Sequence, residues 1–175
     1  MLFTLAACGD KYTAPSLYQA TTPDCKTWAD ESHFELPKGI TVVASSPVGL
    51  PDGGVEFGLT YMLPHGTNIK LTSRTFQVTQ PKGAPIAAAE VVSIYQRGTN
   101  RKPEIVDVIK EVPLLMFAIG SAEATQFRYR LQLKGKQPER FDLVPPAVII
   151  SGERYPVRTF TYRYFEDRKA YGMCT

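Results

Sequence analysis

Residues 127–134 read Phe127-Arg128-Tyr129-Arg130-Leu131-Gln132-Leu133-Lys134, an unbroken alternation of apolar and polar side chains. Successive side chains of a strand point to opposite faces. Phe127, Tyr129, Leu131 and Leu133 therefore share one face, and Arg128, Arg130, Gln132 and Lys134 share the other. The pattern predicts a strand with one face in a core and one in water, as in antiparallel sheets. The same period runs through Val55, Phe57, Leu59, Tyr61 and Leu63, with Glu56, Gly58, Thr60 and Met62 between them. It returns near the C-terminus, where Phe160, Tyr162 and Tyr164 alternate with Thr159, Thr161 and Arg163.

Shorter signals fill the space between these strands. His33 to Leu36 and Ile40 to Val43 flank Pro37-Lys38-Gly39, a turn composition. Pro51-Asp52-Gly53-Gly54 and Pro64-His65-Gly66-Thr67-Asn68 are further turns. Ile69 and Leu71 have one parity and Phe76 and Val78 the other, so a bulge or a change of sheet is expected near Ser73. Ala87 to Glu90 favour a helix and Val91 to Tyr95 a strand, which places a strand start at about Glu90. Glu104 to Val112 fits either a short helix opened by Pro103 or a strand. Phe141 to Val144 and Val148 to Ile150 are strands separated by Pro145-Pro146, which belong at an edge or a bend. Many short strands with Gly and Pro turns predict an all-β fold. The expected form is an antiparallel two-layer β-sandwich of immunoglobulin-like kind with room for one short helix; a small barrel is the runner-up.

The 175 residues fit one domain and a short tail, and 43% apolar content is enough for a core. The net charge of +3 does not point to nucleic acid. The charge is uneven, with fourteen Lys and Arg against nine Asp and Glu in residues 91–175. An anionic partner would meet that half. Arg128, Arg130, Lys134, Lys136 and Arg140 are the candidate anion-binding residues, since arginines on a rigid strand can hold phosphates or carboxylates. The competing reading is that the solvent side of any such strand is polar.

Catalytic signatures are missing from the sequence. The two histidines, His33 and His65, have no Cys or His at metal-ligand spacing, so no metal and no cofactor are expected. There is no nucleophile elbow, phosphate loop or dinucleotide fingerprint. Glu104, Asp107 and Glu111 would share a face if helical, where a solvated surface is the simpler account. The expectation is a protein that is not an enzyme.

The first residues carry a different kind of signal. Leu5-Ala6-Ala7-Cys8 sets a branched apolar residue and two small residues before a cysteine, and a polar stretch follows. This resembles the lipobox of bacterial lipoproteins, in which the chain is cut before a cysteine that carries diacylglycerol. The resemblance implies lipidation at Cys8, residues 1–7 as a signal-peptide remnant, short or truncated, and residues 8–31 as a tether. Residues 32–175 would be the single sandwich domain. It also implies a membrane-anchored protein of the cell envelope facing the periplasm, on the outer membrane. With Cys8 lipidated, Cys25 and Cys174 remain for a disulfide, which would close a loop of about 150 residues and add on the order of 4–5 kcal/mol. No segment approaches the ~20 apolar residues of a membrane-spanning helix.

The function expected from these readings is a lipid-anchored binding or assembly module for another envelope component, with no nucleic-acid partner. An inhibitor of immunity type, using the Arg97–Lys102 loop or the basic strand, is the alternative. A hydrolase with a site at His65 or Glu104/Asp107 is the third.

Overall fold

The structure, a computed structural model, describes residues 17–22, 25–29, 31–45, 47–51, 53–80, 85–99, 104–106, 111–135 and 139–165. These residues form antiparallel strands and one 3-10 turn, Pro37–Gly39. The fold is all-β and sandwich-like.

One layer is built on β6 (Val55–Pro64) and β12 (Ala124–Leu133), the two stretches with the cleanest alternation. They pair along their whole length, from Ala124 opposite Pro64 to Leu133 opposite Val55. β4 (Ile40–Ser45) and then β3 (Glu31–Leu36) extend this layer beyond β6. On the far side of β12 lies β9 (Pro85–Gly98), followed by β10 (Glu104–Val106). The second layer runs from β8 (Phe76–Thr79) through β13 (Arg140–Val144) and β16 (Phe160–Phe165) to β1 (Leu17–Thr22), which also pairs β2 (Cys25–Ala29).

The two layers are not separate sheets. β9 pairs β12 through residues 90–98 and β8 through residues 85–89, and Val92 is an extra residue in the β12 ladder. Such a bulge bends a strand, and here it carries β9 from one layer to the other. Opposite it, β5 (Val48–Gly49) bridges β1 and β6. The strands β6-β12-β9-β8-β13-β16-β1-β5 thus form a closed antiparallel ring. The sandwich is also a flattened barrel, combining the preferred architecture with its runner-up.

The inward side chains meet across the layers. Phe57 packs on Phe141 and Tyr162 at 5.6 and 5.5 Å between ring centroids, and Phe76 on Tyr129 at 5.3 Å. Tyr61, Tyr129, Tyr162, Phe76, Phe141 and Phe160 are fully buried. Such pairs add about 0.5–1.5 kcal/mol each beyond burial.

A four-stranded sheet covers one end, in the order β11 (Leu115–Phe117), β7 (Asn68–Leu71), β14 (Val148–Ile150), β15 (Glu153–Tyr155). The parity change near Ser73 falls where the chain leaves this sheet at Leu71 and enters the ring at Phe76. Pro145 and Pro146 occupy the corresponding passage between β13 and β14.

Two expectations change and one open reading is settled. β9 begins at Pro85, not Glu90, because pairing with β8 overrides the helix preference of Ala87 to Ala89. Of the two readings open for the start of Glu104 to Val112, Glu104–Val106 takes the strand, paired with β9. Residues 17–22 and 25–29, assigned to the tether, are strands, and β1 closes the ring; the fold begins by Leu17, not at residue 32.

Candidate functional site

Phe127, Tyr129, Leu131 and Leu133 of β12 are buried, which turns Gln126, Arg128, Arg130 and Gln132 outward. The two ladders then decide their neighbours. Gln132 lies opposite Glu56, Arg130 lies between Gly58 and Ser93, Arg128 between Thr60 and Tyr95, and Gln126 between Met62 and Arg97.

Arg130 is engaged within the protein. Its Nε and Nη2 donate to the two carboxylate oxygens of Glu56 at 2.9 and 2.7 Å, and Gln132 Nε2 donates to Oε2 at 3.2 Å. The hydrogen bonds from Arg130 hold the Glu56 carboxyl below its usual range, against an opposing effect of burial. Tyr95, beside Arg130, adds a smaller effect that favours the charged form of the arginine.

Arg128 has a different situation. It is exposed and lies close to Gly58: a Cβ at Gly58 would stand 3.4 Å from Arg128 Nε. The same Cβ would stand 2.6 Å from Ser45 Oγ, which accepts the Gly58 N–H at 3.1 Å. Glycine thus lets β4 and the Arg128 side chain come close over β6. Arg128 acts on Glu56 through charge alone. Together Tyr95, Arg97, Gln126, Arg128 and Arg130 line an open depression of about 350 Å³. Three guanidiniums meet one carboxylate there, an excess of two positive charges among the described residues. The arrangement can hold an oxyanion.

The five basic residues singled out from the sequence do not converge. Arg128 stands in the depression and Arg130 at its edge. Lys134 forms an ion pair with Glu90 at 2.6 Å. Arg140 begins β13, in the other layer, opposite Arg163, because the chain crosses between layers after β12. Lys136 lies outside the described residues. Arg97, expected to open the Arg97–Lys102 loop of the inhibitor alternative, is the last-but-one residue of β9 and belongs to the depression. Tyr95, Gln126 and Glu56 had no sequence signal beyond outward parity; only the register of three strands brings them together.

The histidines stay apart. His33 is on β3, while His65 is in the β6–β7 turn, with Nδ1 3.2 Å from the Ala122 carbonyl. His65 and residues 120–123 border a second, shallower hollow of about 280 Å³. Glu104 is on β10, Glu111 forms an exposed ion pair with Arg74 at 3.5 Å, and Asp107 lies outside the described residues. Among the described residues, no three His, Cys, Asp or Glu are grouped as metal ligands, and no helix is long and apolar enough to cross a membrane. Cys25 opens β2; Cys8 and Cys174 lie outside the described residues, as does any bridge between Cys25 and Cys174. No protein-family model, curated protein or solved structure matches the chain.

Proposed function

We propose that this protein is a lipid-anchored binding module of the cell envelope, without catalytic activity or cofactor, that engages an acidic surface of another envelope component. The observation that carries the reading is the pair of guanidiniums, Arg97 and Arg128, standing over an open depression on a rigid three-strand face. Surface arginines in monomeric folds are commonly matched by carboxylates, as Arg130 is here by Glu56. Among the described residues Arg97 and Arg128 have no ion-pair partner, which favours an anionic partner and discourages a cationic one.

The placement of the chain's first described residue supports an anchored orientation. Leu17 pairs Val48, which pairs Glu56, the level of Gln132 on β12. Arg128 and Gln126 lie four and six residues farther along β12, roughly 13–20 Å away at about 3.3 Å per residue. The start of β1 thus lies away from the depression along the strands.

Two measurements test this. Intact-mass analysis of protein from its native host, with its true start codon, is expected to show cleavage before Cys8 and acylation of that residue; an unmodified Met1 sinks the anchor. Affinity capture from envelope extract is expected to recover a partner with wild type and lose it with Arg128→Glu. Equal recovery of every partner by both proteins would remove the arginine face from the function.

A further inference from the structure

We infer that Arg97 and Arg128 form a clamp for one oxyanion, a carboxylate or a phosphate ester, with the Gln126 amide between them. The inference rests on the binding reading above and names the chemical group that the surface recognises.

The register supplies the geometry. Arg97 lies directly opposite Gln126, and Arg128 directly opposite Tyr95. Arg97 and Arg128 are therefore diagonal neighbours on adjacent strands. Long side chains reach one another across that diagonal, where Cα atoms are about 7–8 Å apart. The Arg128 guanidinium rests over Gly58 on β6; a change of rotamer of this exposed side chain would bring it toward Arg97, where two guanidiniums can donate several N–H bonds to a single group. Gln126 stands in the same row as Arg97 and adds an amide donor.

The neighbouring charges keep the clamp open. Both oxygens of the Glu56 carboxylate are taken, by Arg130 at 2.9 and 2.7 Å and by Gln132 at 3.2 Å. The Glu56–Arg130 pair lies at the edge of the depression, and among the described residues Arg128 and Arg97 have no ion-pair partner. Tyr95 is half-buried and lines the depression beside them.

The guanidinium Nε–H resonances of the full-length, isotope-labelled protein test the clamp directly. The probes are inorganic phosphate and acetate, each added at constant ionic strength against chloride. The expected result is that Arg97 and Arg128 shift together along one saturable curve with at least one anion, while Arg130 holds still. Arg97→Gln should weaken that binding at least tenfold. Saturation with phosphate alone would mark a phosphorylated group as the ligand, and saturation with acetate a carboxylate. No saturable shift at Arg97 and Arg128 with either anion, or an equal response in Arg97→Gln, would overturn the clamp. A positive titration with unchanged affinity capture in Arg128→Glu would keep the clamp and overturn the envelope-partner reading. The opposite outcome, capture lost with no titration, would keep the surface and overturn the clamp.

Discussion

Glu56 and Arg130 show how one residue pair can organise a face without belonging to the free charge on it. The pair is bidentate, but the Arg130 side chain is 39% exposed, so water weakens it. A double-mutant cycle of Glu56→Gln with Arg130→Gln, followed by urea unfolding at neutral pH, should give a coupling of about 1 kcal/mol. Because the folded Glu56 pKa is depressed, the contribution is complete above the unfolded value and lost as pH falls through the folded one. The coupling should therefore vanish in acid; a coupling unchanged by acid would contradict the pairing. The buried tyrosines make the opposite case. The hydroxyls of Tyr61 and Tyr162 have no partner among the described residues, and burial pushes both pKa values up. Tyr162→Phe and Tyr61→Phe should be neutral or stabilising by about 1 kcal/mol, since an unpaired buried hydroxyl is unfavourable. A clear loss of stability on either change would show a missing partner. Their raised values also mean that stability, complete below the unfolded tyrosine pKa, falls as pH rises above about 10.

At the scale of elements, alternation told most where each strand has one wet face. β6 and β12 could be read from parity alone, and their buried positions agree with it throughout β12. β1, β2 and the start of β9 could not, because Thr, Ala and Pro carry little periodic signal and long-range pairing makes these segments strands. The candidate site was half legible for the same reason. Parity turns Arg128 outward, but the neighbours of Arg128 depend on register between strands about thirty residues apart or more. β11 offers a test of the small sheet. Met116 is fully buried, while Phe117 is 56% exposed. Met116→Ala should cost about 2–5 kcal/mol and Phe117→Ser less than about 0.5 kcal/mol in thermal unfolding. Equal losses would mean that β11 packs differently. Gly54 marks another close approach, since a Cβ there would stand 2.6 Å from the Leu133 carbonyl oxygen.

For the whole molecule, ring closure gives β1 a role that a tether would not have. Ala20 pairs both Tyr162 of β16 and Ala29 of β2. Proline there removes an N–H and strains the ladder, so Ala20→Pro should cost about 3 kcal/mol or more, read as a lowered unfolding midpoint. Unchanged stability would return residues 17–22 to the tether. Closure also fixes the direction of the molecule. The chain enters at one end of the ring, and the cationic depression lies partway to the other, on strands that cannot slip without turning every side chain over. We propose that the partner binds at this depression. Photocrosslinking in living cells, with a photoreactive residue in place of Gln126, is the direct test. The expected result is an adduct with one envelope component that disappears when Arg128→Glu is added. An adduct that persists with Arg128→Glu, or forms only when the photoreactive residue replaces exposed Ser151, would contradict it.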